Sequence, residues 1–352
     1  MRHRLGLYTA VVAAAALGAA SAGASEPISL GVGGKLRHFF FVTDQDDAAG
    51  QRLNATGGLT DAEVYLDGKT ILDNGVEVRA TLELEAESRN DRNADEAYID
   101  FITGFGKFRI GEKEGVNAAI IDEPAPQAFL TTEEEIIGDV LRQRTGITAR
   151  DAFTFKRYVD DVLGVSYETP AILPGVKLGV SYHPTIADDE GAFDKTLRPR
   201  DAVDVSGRYE GRFRGGRWRL AAGYFHVDSR TGGRDGVQAW NASVNVTYGG
   251  WEAGGTYLYS DPDDGRDERA WTLGALYGIG PYKLSAHHMS ARREPMPNAT
   301  RKEKLERTTL QGAYRIGPGI NLGLAGFYGE QRDAAGRAWD GLGLLGGAKL
   351  AF

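Results

Sequence analysis

Residues 74 to 87 read "NGVEVRATLELEAE", and every second side chain is of one kind. Val76, Val78, Ala80, Leu82, Leu84 and Ala86 fall on one side of an extended chain. Glu77, Arg79, Thr81, Glu83, Glu85 and Glu87 fall on the other. Successive side chains of a strand point to opposite faces, so this period of two predicts a β-strand with one apolar and one charged face. The "DNG" before it (Asp73 to Gly75) has the chemistry of a tight turn. A single strand of this kind suits a soluble sandwich or a membrane barrel equally, and the rest of the chain decides between them.

The alternation recurs to the end of the sequence. "WRLAAGYFHV" puts Trp218, Leu220, Ala222 and Tyr224 on one face, and "WEAGGTYLYS" does the same with Trp251, Ala253, Gly255, Tyr257 and Tyr259. "AWTLGALYG" aligns Trp271, Leu273, Ala275 and Tyr277. These apolar faces begin and end in aromatics. Trp and Tyr settle at the two bilayer interfaces, with aliphatic and small residues between them, so the pattern predicts faces turned to lipid. A sandwich packs its apolar faces together and needs no such girdle. A closed barrel also leaves no unpaired edge for lipid to strand.

Sixteen strands are predicted, from residues 28–42 to residues 340–352. The fold class is therefore an all-β transmembrane antiparallel barrel. Tight turns are expected at 73–75, 103–106, 173–175, 248–250, 278–281 and 316–319, and long polar connections between them. Short turns on one rim and long loops on the other follow the rule for such barrels. The final strand, "GLGLLGGAKLAF", keeps Leu342, Leu344, Gly346, Ala348, Leu350 and Phe352 on its apolar face.

Residues 113 to 158 break the rhythm. Within them "TEEEIIGDVLR" offers Thr132 as an N-cap with Glu135 three residues on, followed by Ile136, Ile137, Val140 and Leu141 at helical spacing. A short amphipathic helix inside a long third loop is expected.

The amino terminus predicts a secretory signal peptide over residues 1–24. A basic "MRHR" precedes an apolar run, and "ASAGAS" offers small-residue cleavage sites. Residues 25–352 then form the barrel, with 113–158 as its constriction loop. The formal charge of −8 becomes −10 once Arg2 and Arg4 are removed, and no basic stripe suggests nucleic acid as a partner. The absence of cysteine rules out disulfides and thiolate metal sites.

Other motifs carry little. "GLGLLG" (Gly341 to Gly346) matches a dinucleotide fingerprint but has no room for the helix that must follow. His287 and His288 are adjacent on a strand and point to opposite faces. "DPDDGRDE" (Asp261 to Glu268) supplies oxygen ligands suited to calcium but lacks the EF-hand spacing, and a solvated loop is the simpler reading. No metal and no cofactor are expected. Ser181 and His183 share an inward face, the only hint of a barrel-based enzyme, and nothing marks either as activated.

The chain resembles the general porins of Gram-negative bacteria. The resemblance is carried by "LTDAEVYLDGKTILDNGVEVRATLELE", "GFGKFRIGEKEG" before the long loop, "YETPAILPGVKLGVSY" after it and "AKLAF" at the end. It implies a sixteen-stranded barrel, usually a homotrimer, embedded in outer-membrane lipid and lipopolysaccharide, whose third loop folds inward and narrows the lumen. The implied function is a water-filled channel for ions and small hydrophilic solutes; a sugar- or anion-selective channel is the alternative. Phe352 resembles the signal read by the outer-membrane assembly machinery.

Alternation places Arg37, Arg79 and Arg109 on lumen faces, and Asp122, Glu123, Glu133, Glu134 and Glu135 lie in the third loop. Together they are expected to form the pore constriction and set a field across it. The lumen face of the second and third strands carries Asp61, Glu63, Asp67, Glu77, Glu83, Glu85 and Glu87 against Lys69 and Arg79, which predicts a modest cation preference.

Overall fold

A computed structural model describes residues 26–47, 52–86, 94–121, 125–131, 136–147, 158–186, 200–228, 236–262, 266–295 and 300–352. Sixteen antiparallel strands form one closed sheet in which each pairs with its neighbours in sequence. They are β1 (Ser29–Gln45), β2 (Thr56–Ile71), β3 (Glu77–Glu85), β4 (Ala94–Thr103), β5 (Gly106–Glu112), β6 (Leu163–Glu168), β7 (Val176–Thr185) and β8 (Arg200–Phe213). Then come β9 (Gly216–Asp228), β10 (Val237–Tyr248), β11 (Trp251–Pro262), β12 (Glu268–Ile279), β13 (Tyr282–Arg293), β14 (Glu303–Gly317), β15 (Ile320–Arg332) and β16 (Ala338–Ala351).

β1 and β16 close the barrel in register from Lys35↔Ala351 to Gln45↔Gly341. At the seam's end Gly34 N–H donates to the Phe352 carbonyl and Phe352 N–H donates to that of Gly34, each at 3.1 Å. The seam fixes which parity faces out. Leu342 and Leu344 are exposed on β16, and they pair with Asp44 and Val42 on β1. Arg37 and Phe39 point inward.

The predicted strands all form, with ends shifted by a few residues. The largest shift is at β6, expected from residue 159 and observed from Leu163. Its reason is packing: Val159 and Val162 are buried, Tyr158 stacks on Phe225 at 4.8 Å, and Asp161 turns the chain at φ 51°. The tight-turn rim also includes a turn at Arg214 and Gly215 between β8 and β9. Gly175 shows why glycine is required in such a turn: φ is +80°, and a Cβ would lie 2.0 Å from the Glu210 carbonyl oxygen.

The apolar core lies inside the barrel, where the 113–162 connection meets the wall. One patch joins Ile147, Val159 and Val162 to Phe225, Leu258 and Met289. The other joins Phe129, Ile136, Ile137 and Leu141 to Phe39, Phe327 and Leu345. The expected helix is present as α2 (Ile136–Val140), while Thr132 and Glu135 of its proposed cap lie outside the described residues. A second helix, α1 (Val116–Ile120), was not expected; at five residues it is too short for a periodic signal.

Outward-facing aromatics are unevenly spread. Trp218, Trp240, Trp251 and Trp271, with Tyr residues from Tyr167 to Tyr328, stand on the outer face of β6 to β15. Among the described residues, the outer faces of β16 and β1 to β5 carry neither Trp nor Tyr.

Parity gives a direct test on β10. Val244 faces outward opposite Leu220 and Gly255, and Asn245 faces the lumen opposite Arg219. Val244→Arg is expected to destabilise the barrel by about 2–4 kcal/mol and Asn245→Arg by well under half of that, measured by guanidinium unfolding in lipid vesicles.

Candidate functional site

The long connection after β5 is held against the inner wall from β7 round to β1 by wall side chains that hydrogen-bond its backbone. At its start Val116 N–H donates to Ser181 Oγ and Asp204 Oδ1, each at 3.2 Å, and Asn117 N–H donates to Asp204 Oδ2 at 3.4 Å. Ser206 Oγ returns a bond to the Val116 carbonyl at 3.0 Å. The Ser181 hydroxyl also donates to Asp204. Ser181 and Asp204 thus anchor a loop, which gives the inward Ser181 a structural role.

Further along, Ala125 N–H donates to Thr272 Oγ1 (3.3 Å) and Ala128 N–H to Ser285 Oγ (2.8 Å). Gln311 Oε1 accepts from both Phe129 (2.9 Å) and Leu130 (2.7 Å). Past α2, Gln45 takes the Val140 carbonyl and the Arg142 amide, and Gln331 takes the Arg142 carbonyl and the Arg144 amide, at 2.8–3.0 Å. Buried backbone groups outside regular structure must find partners, and here β-strand side chains supply them.

Glycines shape the same seat. A Cβ on Gly323 would sit 2.1 Å from the Phe129 ring, one on Gly179 2.6 Å from Ile120, and one on Gly341 2.8 Å from Leu141. Phe129 packs edge-on against Phe39 at 5.8 Å. The wall is thinned where the loop is thick.

The lumen face of β1 to β7 carries a ladder of charges. Arg37 donates to Asp61 at 2.8 Å, and Lys35 pairs with Glu63. Arg79, beside Glu77, lies in register with Asp100, which grips Arg109 through two bonds of 2.7 and 2.8 Å. Arg109 also lies 4.0 Å above the Tyr98 ring. Glu168 is shared by Lys107 and Lys177. Each predicted arginine is therefore on the lumen face and pairs with an acid, Asp61 and Glu77 being shared with Lys35 and Lys69. The loop acids Asp122, Glu123, Glu133, Glu134 and Glu135 lie outside the described residues.

Toward the long-loop rim the wall turns acidic. Carboxylate oxygens of Glu63, Glu85 and Asp95 lie within 4.8 Å of one another, and so do those of Glu96, Glu114 and Asp161. Lys113 bridges Glu96 and Glu114. Burial, with Asp160, Asp95, Glu114 and Glu96 around it, pushes the Asp161 carboxyl up to about 9, so it holds a proton at neutral pH.

Asp100, Glu96, Tyr98 and the anchors Gln45, Asp204, Gln311 and Gln331 were not singled out from the sequence. The signal that could have found them is a glutamine or acid at an inward position of an alternating strand. Gln311→Leu removes the acceptor of two buried amides at a cost of about 1–3 kcal/mol. Faster hydrogen exchange at Phe129 and Leu130, with a lowered unfolding midpoint, is the expected outcome.

Comparison with known proteins agrees with this geometry. The model of the Gram-negative porin family matches residues 9–335. No curated protein matches the chain. Among solved structures, the outer membrane channel DcaP of Acinetobacter baumannii superposes with a TM-score of 0.65 at 13% identity, covering 92% of this chain and 97% of that one. The trimer form of the outer membrane protein OmpT of Vibrio cholerae gives 0.64 at 13% identity, covering 93% and 100%. An anion-selective porin from Comamonas acidovorans gives 0.61 at 14% identity, covering 93% and 100%. At these identities the likeness speaks for the fold, and the family model supplies the rest. A closed sixteen-stranded barrel with a polar lumen, an apolar girdled exterior and a match over most of its length places this chain in the Gram-negative porin family, as an outer-membrane channel for passive diffusion.

Proposed function

We propose that the passage between the inward loop and the β1–β5 wall is the narrowest part of the channel and favours cations modestly over anions. The observation that carries this reading is the pair of carboxylate clusters around Glu85 and Glu96, close to where the loop leaves the barrel. A low-dielectric wall focuses their field on the lumen and raises the local cation concentration. Arg37, Arg79 and Arg109 offset part of it, and Asp122, Glu123, Glu133, Glu134 and Glu135 add to it from the loop. Residues 113–158 act as the constriction, and residues 1–24 as a cleaved signal peptide.

The channel works as a homotrimer. The outer sector of β16 and β1 to β5, which carries neither Trp nor Tyr among the described residues, supports this, because a face buried against other copies needs no belt of interfacial Trp and Tyr. Outer-membrane lipid and lipopolysaccharide surround the remaining strands. Phe352 serves as the contact for the assembly machinery.

Reversal potentials in a planar bilayer test the selectivity. Potassium should be favoured over chloride, and a chloride preference would reject the reading. Replacing Glu133, Glu134 and Glu135 by Gln should reduce the preference, with a smaller effect at 1 M salt, where the Debye length is about 3 Å. Deleting residues 122–140 should raise single-channel conductance.

The Asp161 carboxyl adds a pH dependence. Raising the pH from 7 to 10 ionises it beside Glu96 and Glu114, so the cation preference should increase. Asp161→Asn, which tolerates the same left-handed backbone, should remove the step centred near pH 9.

A further inference from the structure

The lumen changes sign along its axis. Loop contacts on Ser206, Ser285, Gln311 and Gly323 mark the level of the inward loop on the wall. The next lumen-facing positions toward the tight-turn rim are basic on several strands. After Ser206, β8 presents Arg208, Glu210 and Arg212, and β9 presents Arg217 and Arg219. Their inward direction follows from parity, since Tyr209 and Phe213 are exposed on the outer face, and from the 3.5 Å contact between Arg219 and Glu210.

Arg212 and Arg217 stand directly opposite each other in register, an arrangement that raises the local potential. Across the barrel Lys283 lies one inward position below Ser285, and Lys349 stands 5.4 Å from the Phe129 ring. Below Ser206, the lumen face of β8 and β9 thus carries four arginines against Glu210 alone. The acids above, around Glu85 and Glu96, sit on the long-loop side of this level.

We infer that Arg208, Arg212, Arg217 and Arg219 form a second filter, for anions, at the tight-turn mouth, so that the pore is bipolar and conducts asymmetrically. The inference rests on the aqueous-pore reading and adds a direction to it. Short turns face the periplasm in bacterial barrels, so the basic mouth is the periplasmic one. Cations are the majority carriers in the outer, acidic zone and anions in the inner, basic zone. A potential positive on the long-loop side drives both toward the junction and fills it with carriers. The opposite potential draws both away and depletes it. Larger currents flow when the long-loop side is positive.

Screening sets the conditions of the test. The Debye length is about 30 Å at 0.01 M salt and about 3 Å at 1 M, so asymmetry belongs to low salt. Single channels of the full protein are recorded at equal and opposite voltages in potassium chloride. Because the chain has no native cysteine, Ala334→Cys in the β15–β16 connection, labelled with a bulky thiol reagent from one chamber, reports the orientation.

The expected result is about a twofold current ratio at 0.01 M that falls to unity at 1 M. Arg212→Gln combined with Arg217→Gln should remove at least half of the excess; both side chains are exposed to the lumen, and the barrel's β-sheet circular dichroism verifies folding. A conducting pore with a linear response at 0.01 M, a ratio of the opposite sign, or a ratio indifferent to the double variant overturns the bipolar filter and leaves the diffusion pore intact. A folded barrel that conducts nothing removes both.

Discussion

The structure depends on a single obligation: in lipid, every strand must have a neighbour on both sides. The β1–β16 pairing discharges it, and the reciprocal bonds between Gly34 and Phe352 lock its end. Once the sheet is closed, parity stops being a local matter. A side chain's position in the count decides whether it meets hydrocarbon or water, and all sixteen strands must agree. The charges of β3 and the leucines of β16 are two readings of the same rule.

Closure also creates an interior too wide for wall side chains to fill. The inward loop occupies part of it, but a loop carries backbone amides and carbonyls that cannot remain bare where they are buried. Serine, threonine, glutamine and aspartate on strands β7 to β15 and β1 meet them, and glycines give the loop its depth. The opposite wall, β2 to β6, instead lines the lumen with ion pairs whose acids Glu63, Glu96, Asp100 and Glu168 are themselves buried. The division of the lumen into a seat and a charged face follows from which side chains are used to hold backbone and which are left to pair with one another.

Much of this was legible in the sequence and some was not, for identifiable reasons. "NGVEVRATLELEAE" disclosed its strand because both of its faces are pure; the inward mixture of β14, with Leu305, Arg307, Thr309 and Gln311, discloses much less. The lumen positions of Arg37, Arg79 and Arg109 followed from period two alone. Their partners did not. Arg109 is tied to Asp100 by the β4–β5 register, which the turn between Thr103 and Gly106 sets and which period two does not report. α1 was invisible because it is a single turn whose stability comes from Asp204, 88 residues away along the chain from Val116. The charge of the β8–β9 arginines was visible, but their common level below the loop required the loop's seat to be located first.

The seat has a consequence for the order of events as the molecule forms. Phe129 needs Gln311 and Gly323, Arg142 and Val140 need Gln45, and Arg144 needs Gln331, so one loop in the first half of the chain takes partners from both sides of the closing seam. None of those partners lies at its final spacing until the last strands have joined the first. The loop is therefore a late arrival, docking into a cylinder already complete. Contacts that span 182 residues between Phe129 and Gln311 do nothing to speed closure and act afterwards, as a latch that slows its reversal.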